Sequence, residues 1–282
     1  MAKIISIQKK ESRFNLVGGG TIARYTIHSD ILNAEKTFSV YLPAGYDDSG
    51  RRYPVIYLFH SAGATDETWT QTGQLKEIAD DAIRSRMAAP MIIVVPDASG
   101  TDEHHLGKLL GYFSVEGWDY EAYFHKELIA LVDETFRTIA DKRHRAVAGV
   151  SMSGEAAIAY AQKNPSYYAA ACSLSGILGK PEQSKMAKTD AGYAAGLIRN
   201  NPSAFVENAT PEEVEALKTV RWYADCGDND FFYEGNIQFF LAMKAKGIDI
   251  DYRMRSGVHD WYYWTTGLAP ILHFISIAFT EE

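Results

Sequence analysis

Residues 149–154 read Gly-Val-Ser-Met-Ser-Gly, between an apolar, β-like run and an alanine-rich helical stretch. A serine at the apex of a strand, tight turn and helix is suited to nucleophilic attack on an acyl carbon. The turn is strained, so the residues two positions to either side must be small enough for strand and helix to approach. Gly149 and Ser153 meet that demand. The usual pattern has glycine at the second position; this chain has serine there, with Gly154 one step later. Such a turn holds the Ser151 hydroxyl clear of the sheet. It also aims the Met152 N–H, at a helix N-terminus, where an oxyanion would develop. The alternative for the same hexapeptide is an ordinary strand-to-helix connection carrying a solvated serine.

A serine is a poor nucleophile until a base takes its proton, and that base needs an acid to orient it. In α/β-hydrolases the chain order is serine, acid, histidine, each on a loop after a strand. Only His259 and His273 follow Ser151. His259 lies directly after the last predicted strand, whereas His273 falls in an apolar terminal helix and reads as a packing residue. Asp225, Asp228 and Asp230 compete for the acid: Asp225 is still within the strand, Asp228 could make the turn, and Asp230 lies furthest out on the loop. Position prefers Asp230. A second oxyanion donor is expected from the loop His60-Ser61-Ala62-Gly63-Ala64, at the Ala62 N–H, with His60 fastening the loop. His104 and His105 are adjacent, so their side chains point apart, and no acid cluster surrounds them with metal-ligand spacing. No metal and no cofactor is expected.

Aromatic residues crowd the same loops: Tyr112, Phe113, Trp118 and Tyr120; Phe231, Phe232 and Tyr233; Trp261, Tyr262, Tyr263 and Trp264. Loops this rich in rings suit a flat acyl group or a sugar face. Ser61, Trp118, Phe231 and Trp261 are the residues expected to touch substrate.

The elements that would position these groups follow from patterning. Residues 21–27 and 37–42 alternate like paired strands and predict an antiparallel edge. Continuous apolar runs at 53–59, 91–95 and 146–150 suit strands buried on both faces. Helices are expected near 73–87 and 121–139, with further strands at 169–174, 220–224 and 250–254 and helices at about 234–246 and near the carboxyl end. Residues 179–217 interrupt this alternation and read as a lid-like insertion over the sheet edge, with a helix start at Thr210-Pro211-Glu212-Glu213. The pattern predicts one α/β domain over 1–282, a mostly parallel sheet with helices on both faces.

The chain has 282 residues, 46% hydrophobic and 23% charged, enough for a sizeable core. A formal charge of −8 without a Lys/Arg run argues against a nucleic-acid partner. Cys172 and Cys226 fall in predicted apolar strands and read as buried free thiols. The amino terminus is too charged for a secretory signal, and no stretch has the length to span a membrane, so a soluble protein is expected, cytoplasmic or secreted.

Taken in order, FSVYLPAGYD, YPVIYLFHSAGATDETW, GQLKEIADDAI, APMIIVVPDASG, GVSMSG, CGDNDFFYEGN and GVHDWYYW resemble the Putative esterase group of the α/β-hydrolase superfamily. That group contains feruloyl and acetylxylan esterases of carbohydrate esterase family one, tributyrin esterases and S-formylglutathione hydrolase. The resemblance runs from about residue 20 onward. It implies an α/β-hydrolase fold, a nucleophile at Ser151, an acid at Asp230, a base at His259 and oxyanion donors at Met152 and Ala62. Two positions depart from it: His60-Ser61 replaces His-Gly, and Ser153-Gly154 replaces Gly-Gly. The function implied is a serine carboxylesterase acting through an acyl-enzyme on a small-molecule or oligosaccharide ester, first a hydroxycinnamoyl ester of cell-wall sugar. Alternatives are an acetylxylan or short-chain acyl esterase, an acyltransferase of the same fold, and a non-catalytic carbohydrate-binding relative.

Overall fold

A computed structural model describes residues 2–10, 19–101, 108, 110–179 and 191–280. Nine strands form one sheet: β1 (Lys3–Lys10), β2 (Thr21–Ser29), β3 (Ala34–Leu42), β4 (Val55–Leu58), β5 (Ile92–Pro96), β6 (Arg145–Val150), β7 (Ala170–Leu174), β8 (Arg221–Gly227) and β9 (Ile250–Arg255). Their order is β1-β2-β3-β5-β4-β6-β7-β8-β9. The β1, β2, β3 and β5 pairings are antiparallel, and every pairing from β5 onward is parallel.

Strands β4 to β7 are buried at every position, as expected for parallel strands covered on both faces. Because successive side chains alternate in direction, Val55 and Tyr57 feed one face while Ile56 and Leu58 feed the other. Helices α1 (Leu75–Arg84) and α8 (Trp261–Thr280) cover the second of these faces. The first is covered by α2 (120–135) and α3 (Met152–Lys163), together with α5 (Pro202–Asn208) and α7 (Tyr233–Ala245). Helix α2 joins Tyr120–Ala122, a π-helical stretch Tyr123–Leu128, and Ile129–Thr135. It stops short of the expected residue 139 because Phe136 turns extended (φ −112°, ψ 158°) and Thr138 pairs with Tyr53.

Two further expectations are corrected. Strand β1 was not anticipated: its sequence is mostly polar because it is a largely exposed edge, and only its pairing with β2 gives it form. The described part of 179–217 is not draped over a sheet edge. The segment crosses between neighbouring strands β7 and β8, and its described part holds α4 (Ala191–Arg199), α5 and α6 (Pro211–Leu217). Helix α5 packs against both α3 and α7, on a face of the sheet whose edges are β1 and β9. Residues 180–190 lie outside the described residues. Thr210 begins α6 with a capping box to Glu213, as its sequence indicates. Cys172 and Cys226 are buried free thiols. Among the described residues, no helix is long and apolar enough to cross a membrane.

Candidate active site

Strand β6 ends at Val150 and α3 begins at Met152, leaving Ser151 alone at the turn with φ 57° and ψ −126°. A residue with a β-carbon occupies that region at a cost, and the surroundings hold it there. The Ser151 N–H donates to the Leu174 carbonyl at 2.9 Å. At Gly149 an added Cβ would come within 2.2 Å of the Ser153 carbonyl oxygen, so only glycine lets the strand pass the helix. The Ser153 hydroxyl accepts the Val150 N–H and donates to the Val150 carbonyl, both at 2.9 Å. This departure from the usual glycine therefore clips helix to strand. At Gly154 a Cβ would meet Ser173 Oγ at 2.5 Å, so this glycine seats α3 against β7.

His259 stands on the loop between β9 and α8, Asp230 on the loop after β8. Two loops from adjacent parallel strands converge here because backbone bonds tie them together. Asp228 N–H donates to the Arg255 carbonyl at 2.9 Å, and Asn229 N–H to the Gly257 carbonyl at 3.0 Å. Asp228 Oδ1 receives the Gly257 N–H at 3.0 Å. Asp225, beneath them, accepts from Arg255 Nε at 2.7 Å and from the Tyr263 hydroxyl. These contacts occupy two of the three competing aspartates. The third, Asp230, is 1% exposed; its Oδ1 accepts the Phe232 N–H at 2.9 Å and its Oδ2 lies 2.8 Å from His259 Nδ1.

On its other side, His259 Nε2 lies 2.8 Å from Ser151 Oγ. With Nδ1–H donating to the Asp230 carboxylate, Nε2 presents its lone pair to the serine hydroxyl, the arrangement a general base needs. The imidazole is enclosed by rings: Phe231 at 4.4 Å, Trp264 at 4.9 Å and Phe232 at 5.2 Å between centroids. They exclude water from most of the hydrogen-bonded chain, which strengthens its electrostatics. Burial also pushes the nearby Cys226 thiol upward, so it stays protonated.

Beside the nucleophile, Met152 joins His60, Gly63, Ala64 and Thr65 in walling a cavity of about 250 Å³, completed by Ala98, Ser99, Gly100, Lys108, Leu110 and Gly111. Met152 supplies the first N–H of α3, which has no partner within its own helix. His60 is 2% exposed, fastened by its ring to both Ser61 and Ala98. Ser61 is 6% exposed, and Ala62 is half-buried.

The aromatic loops divide. Phe231 is 57% exposed beside His259, and Trp261 is half-buried between Trp69 and Trp264 at 5.1 and 5.2 Å. Trp118 is not a surface for substrate: it is wholly buried in the core, with the Lys36 ammonium 5.4 Å above its ring. Tyr112, Phe113 and Tyr120 are core residues too. Ring content alone gave no direction for these side chains. His273 is also corrected from a packing residue: it is exposed, with Nδ1 2.6 Å from the Met87 carbonyl. His104 and His105 lie outside the described residues.

The sequence model of the Putative esterase family matches residues 29–275. An endo-1,4-beta-xylanase/feruloyl esterase of Xylanibacter ruminicola is 32% identical over 234 residues, 81% of this chain and 30% of that protein. A solved ferulic acid esterase is 33% identical, with a TM-score of 0.84 over 97% of this chain and 100% of that one. An S-formylglutathione hydrolase from Agrobacterium tumefaciens, 22% identical, shares the fold at a TM-score of 0.74, covering 98% of this chain and 99% of its own. The chain spans about a third of the length of the curated relatives it matches first.

Proposed function

The chain belongs to the Putative esterase family, and from that membership we propose that it is a serine carboxylesterase with Ser151, His259 and Asp230 as its catalytic triad. The observation that carries this reading is the unbroken chain of hydrogen bonds, 2.8 Å from Ser151 to His259 and 2.8 Å from His259 to Asp230, at a serine held on positive φ.

The chemistry follows from those atoms. Ser151 Oγ attacks the ester carbonyl as His259 Nε2 takes its proton. The imidazolium formed is stabilised by the Asp230 carboxylate, which keeps its own charge. The carbonyl oxygen, now an oxyanion, receives the N–H groups of Met152 and Ala62. Collapse breaks the bond to the alcohol oxygen, which leaves with the proton from His259 Nε2–H. Water then enters, gives a proton to Nε2 and attacks the acyl-serine, and a second collapse returns Ser151 and releases the acid.

Within esterases, a hydroxycinnamoyl ester is the substrate this reading prefers. The exposed Phe231 ring lies against the base, the half-buried Trp261 lies one ring further out on Trp264, and flat apolar groups bind well against such rings. Two relatives about a third identical to this chain carry feruloyl or ferulic acid esterase in their names. The test is a panel of methyl ferulate, chlorogenate, acetylated xylan and short nitrophenyl esters. Methyl ferulate should give the highest kcat/KM, by at least about tenfold over the acetyl esters, the size of a single well-packed apolar contact. A preference for acetylated xylan or short acyl chains would replace the hydroxycinnamoyl assignment. Rates that depend on an added alcohol acceptor would replace hydrolysis with acyl transfer.

A further inference from the structure

Behind the cavity wall lies a second group of charged side chains, at the start of the loops that leave β4 and β5. Lys36 from β3 is wholly buried. Its ammonium sits 3.6 Å from Asp97 Oδ2, donates to the Ser99 carbonyl, and lies over the rings of Trp118 and Tyr120 at 5.4 and 5.8 Å. Asp97 Oδ1 accepts from the Ser99 hydroxyl at 2.9 Å and faces His60 Nε2 at 3.3 Å. Burial opposes ionisation of this carboxyl, yet the Lys36 ammonium and the Ser99 hydroxyl hold it below the usual carboxylate range. Lys36 and Asp97 thus pin the backbone of residues 97–99. The Ala98 N–H, between them, donates to His60 Nε2 at 3.0 Å.

His60 accepts that bond at Nε2, so its proton is on Nδ1, which donates to the Ser61 carbonyl at 2.9 Å. The His60 N–H is itself held by the Tyr112 hydroxyl at 2.8 Å. Ser61 O also accepts the Ala64 N–H at 3.2 Å, in a turn made possible by Gly63 at φ 71°. A trans peptide is planar, with its C=O and N–H pointing in opposite directions. The carbonyl of the Ser61–Ala62 peptide is drawn inward to His60; the Ala62 N–H at its other end is therefore turned outward. That N–H is the second oxyanion donor of the mechanism above.

We propose that His60, backed by Asp97 and Lys36, is a positioning residue that sets the orientation and donor strength of the Ala62 N–H. It touches neither substrate nor nucleophile and acts through one peptide plane. The proposal rests on the serine-esterase reading. When an oxyanion forms, its pull on the Ala62 N–H makes the Ser61 carbonyl a stronger acceptor, and the His60 Nδ1–H bond tightens in turn.

The experiment uses the intact chain with p-nitrophenyl acetate and compares His60→Asn, His60→Gln and Ser151→Ala. Asparagine places an amide N–H where Nδ1 was and retains the bond to Ser61. Glutamine reaches the Nε2 position and retains only the bond to Ala98. His60→Gln should lower kcat by about 10²-fold, the scale of a lost oxyanion donor, with KM changed by less than about threefold. His60→Asn should recover at least about tenfold of that loss. Equal kcat in the two variants, or His60→Gln within about threefold of wild type, would overturn the proposal. Should either variant fail to fold, the imidazole ¹⁵N resonances of the wild-type protein decide. Adding an aryl boronic acid, which forms a tetrahedral adduct on Ser151, should move the His60 Nδ1 signal; an unmoved signal overturns the proposal. If Ser151→Ala hydrolyses the ester at the wild-type rate, the esterase reading itself fails. If Ser151→Ala is inert and His60→Gln fully active, only the positioning role fails.

Discussion

Ser151 and Ser153 stand two residues apart and do different work. The first is 3% exposed and hydrogen-bonded to His259; the second is wholly buried and has both its hydrogen-bonding directions engaged by Val150. The serine that departs from the usual glycine therefore serves the turn and points away from the oxyanion position. Ser153→Gly should lose two buried hydrogen bonds, about 1–2 kcal/mol, and lower Tm by about 2–6 °C while leaving kcat within about threefold. Thermal melts and ester kinetics on the same preparation check this, and a tenfold loss of kcat in a folded variant would put Ser153 in the chemistry. The sequence carried the site unevenly at this scale. Chain order singled out Ser151 and His259, the two side chains that stand 2.8 Å apart. Among Asp225, Asp228 and Asp230 it preferred Asp230 by loop position alone, because what distinguishes them is which loop they tie. Asp228 holds Gly257, Asp225 holds Arg255 and Tyr263, and Asp230 faces the imidazole. The buried Lys36 and Asp97 were not legible as a pair, since 61 residues of chain separate them and only the β3–β5 pairing brings them close.

The loops that follow β8 and β9 behave as one piece, bound by backbone bonds from Asp228 and Asn229 to Arg255 and Gly257. Even the glycines agree with this: at Gly227 an added Cβ would approach the Gly257 carbonyl oxygen to 2.4 Å. Acid and base are therefore positioned relative to each other before either is positioned relative to the serine, which keeps the proton path short and ordered. The central strands were legible because three short apolar runs suited to burial on both faces have few other solutions. The helix from Leu75 to Arg84 falls inside its expected span because its apolar residues recur with helical periodicity, and the one from Tyr233 to Ala245 lies close to its own. Strand β1 was hidden by its polar composition. The crossover after β7 was hidden by a pattern that reveals helices but not which face of the sheet they cover, so α5 on the face, between α3 and α7, could be read only from the structure.

At the scale of the molecule, a buried carboxyl outside the site and the network behind it sets a pH dependence of stability. Glu155, in the first turns of α3, is wholly buried, and neither carboxylate oxygen has a hydrogen-bond partner among the described residues. Burial pushes its carboxyl well above the usual range, with Lys163 only partly opposing. The folded protein keeps a proton that the unfolded chain has already lost, so stability falls as pH rises above the ordinary glutamate range, up to the folded value. Glu155→Gln, which removes that ionisation, should raise Tm more at pH 8 than at pH 5, by about a few degrees. A Tm difference independent of pH would show that the carboxyl does not carry this linkage. Acylation of Ser151 can be observed by rapid-mixing hydrolysis of p-nitrophenyl acetate, quenched in acid for peptide mapping. Wild type should release a burst of nitrophenol approaching one equivalent, with the acetyl group on the peptide containing Ser151. Ser151→Ala should show no burst and a rate lower by about 10⁵-fold or more. Undiminished hydrolysis by Ser151→Ala, or acetylation at another residue, would show that Ser151 is not the nucleophile.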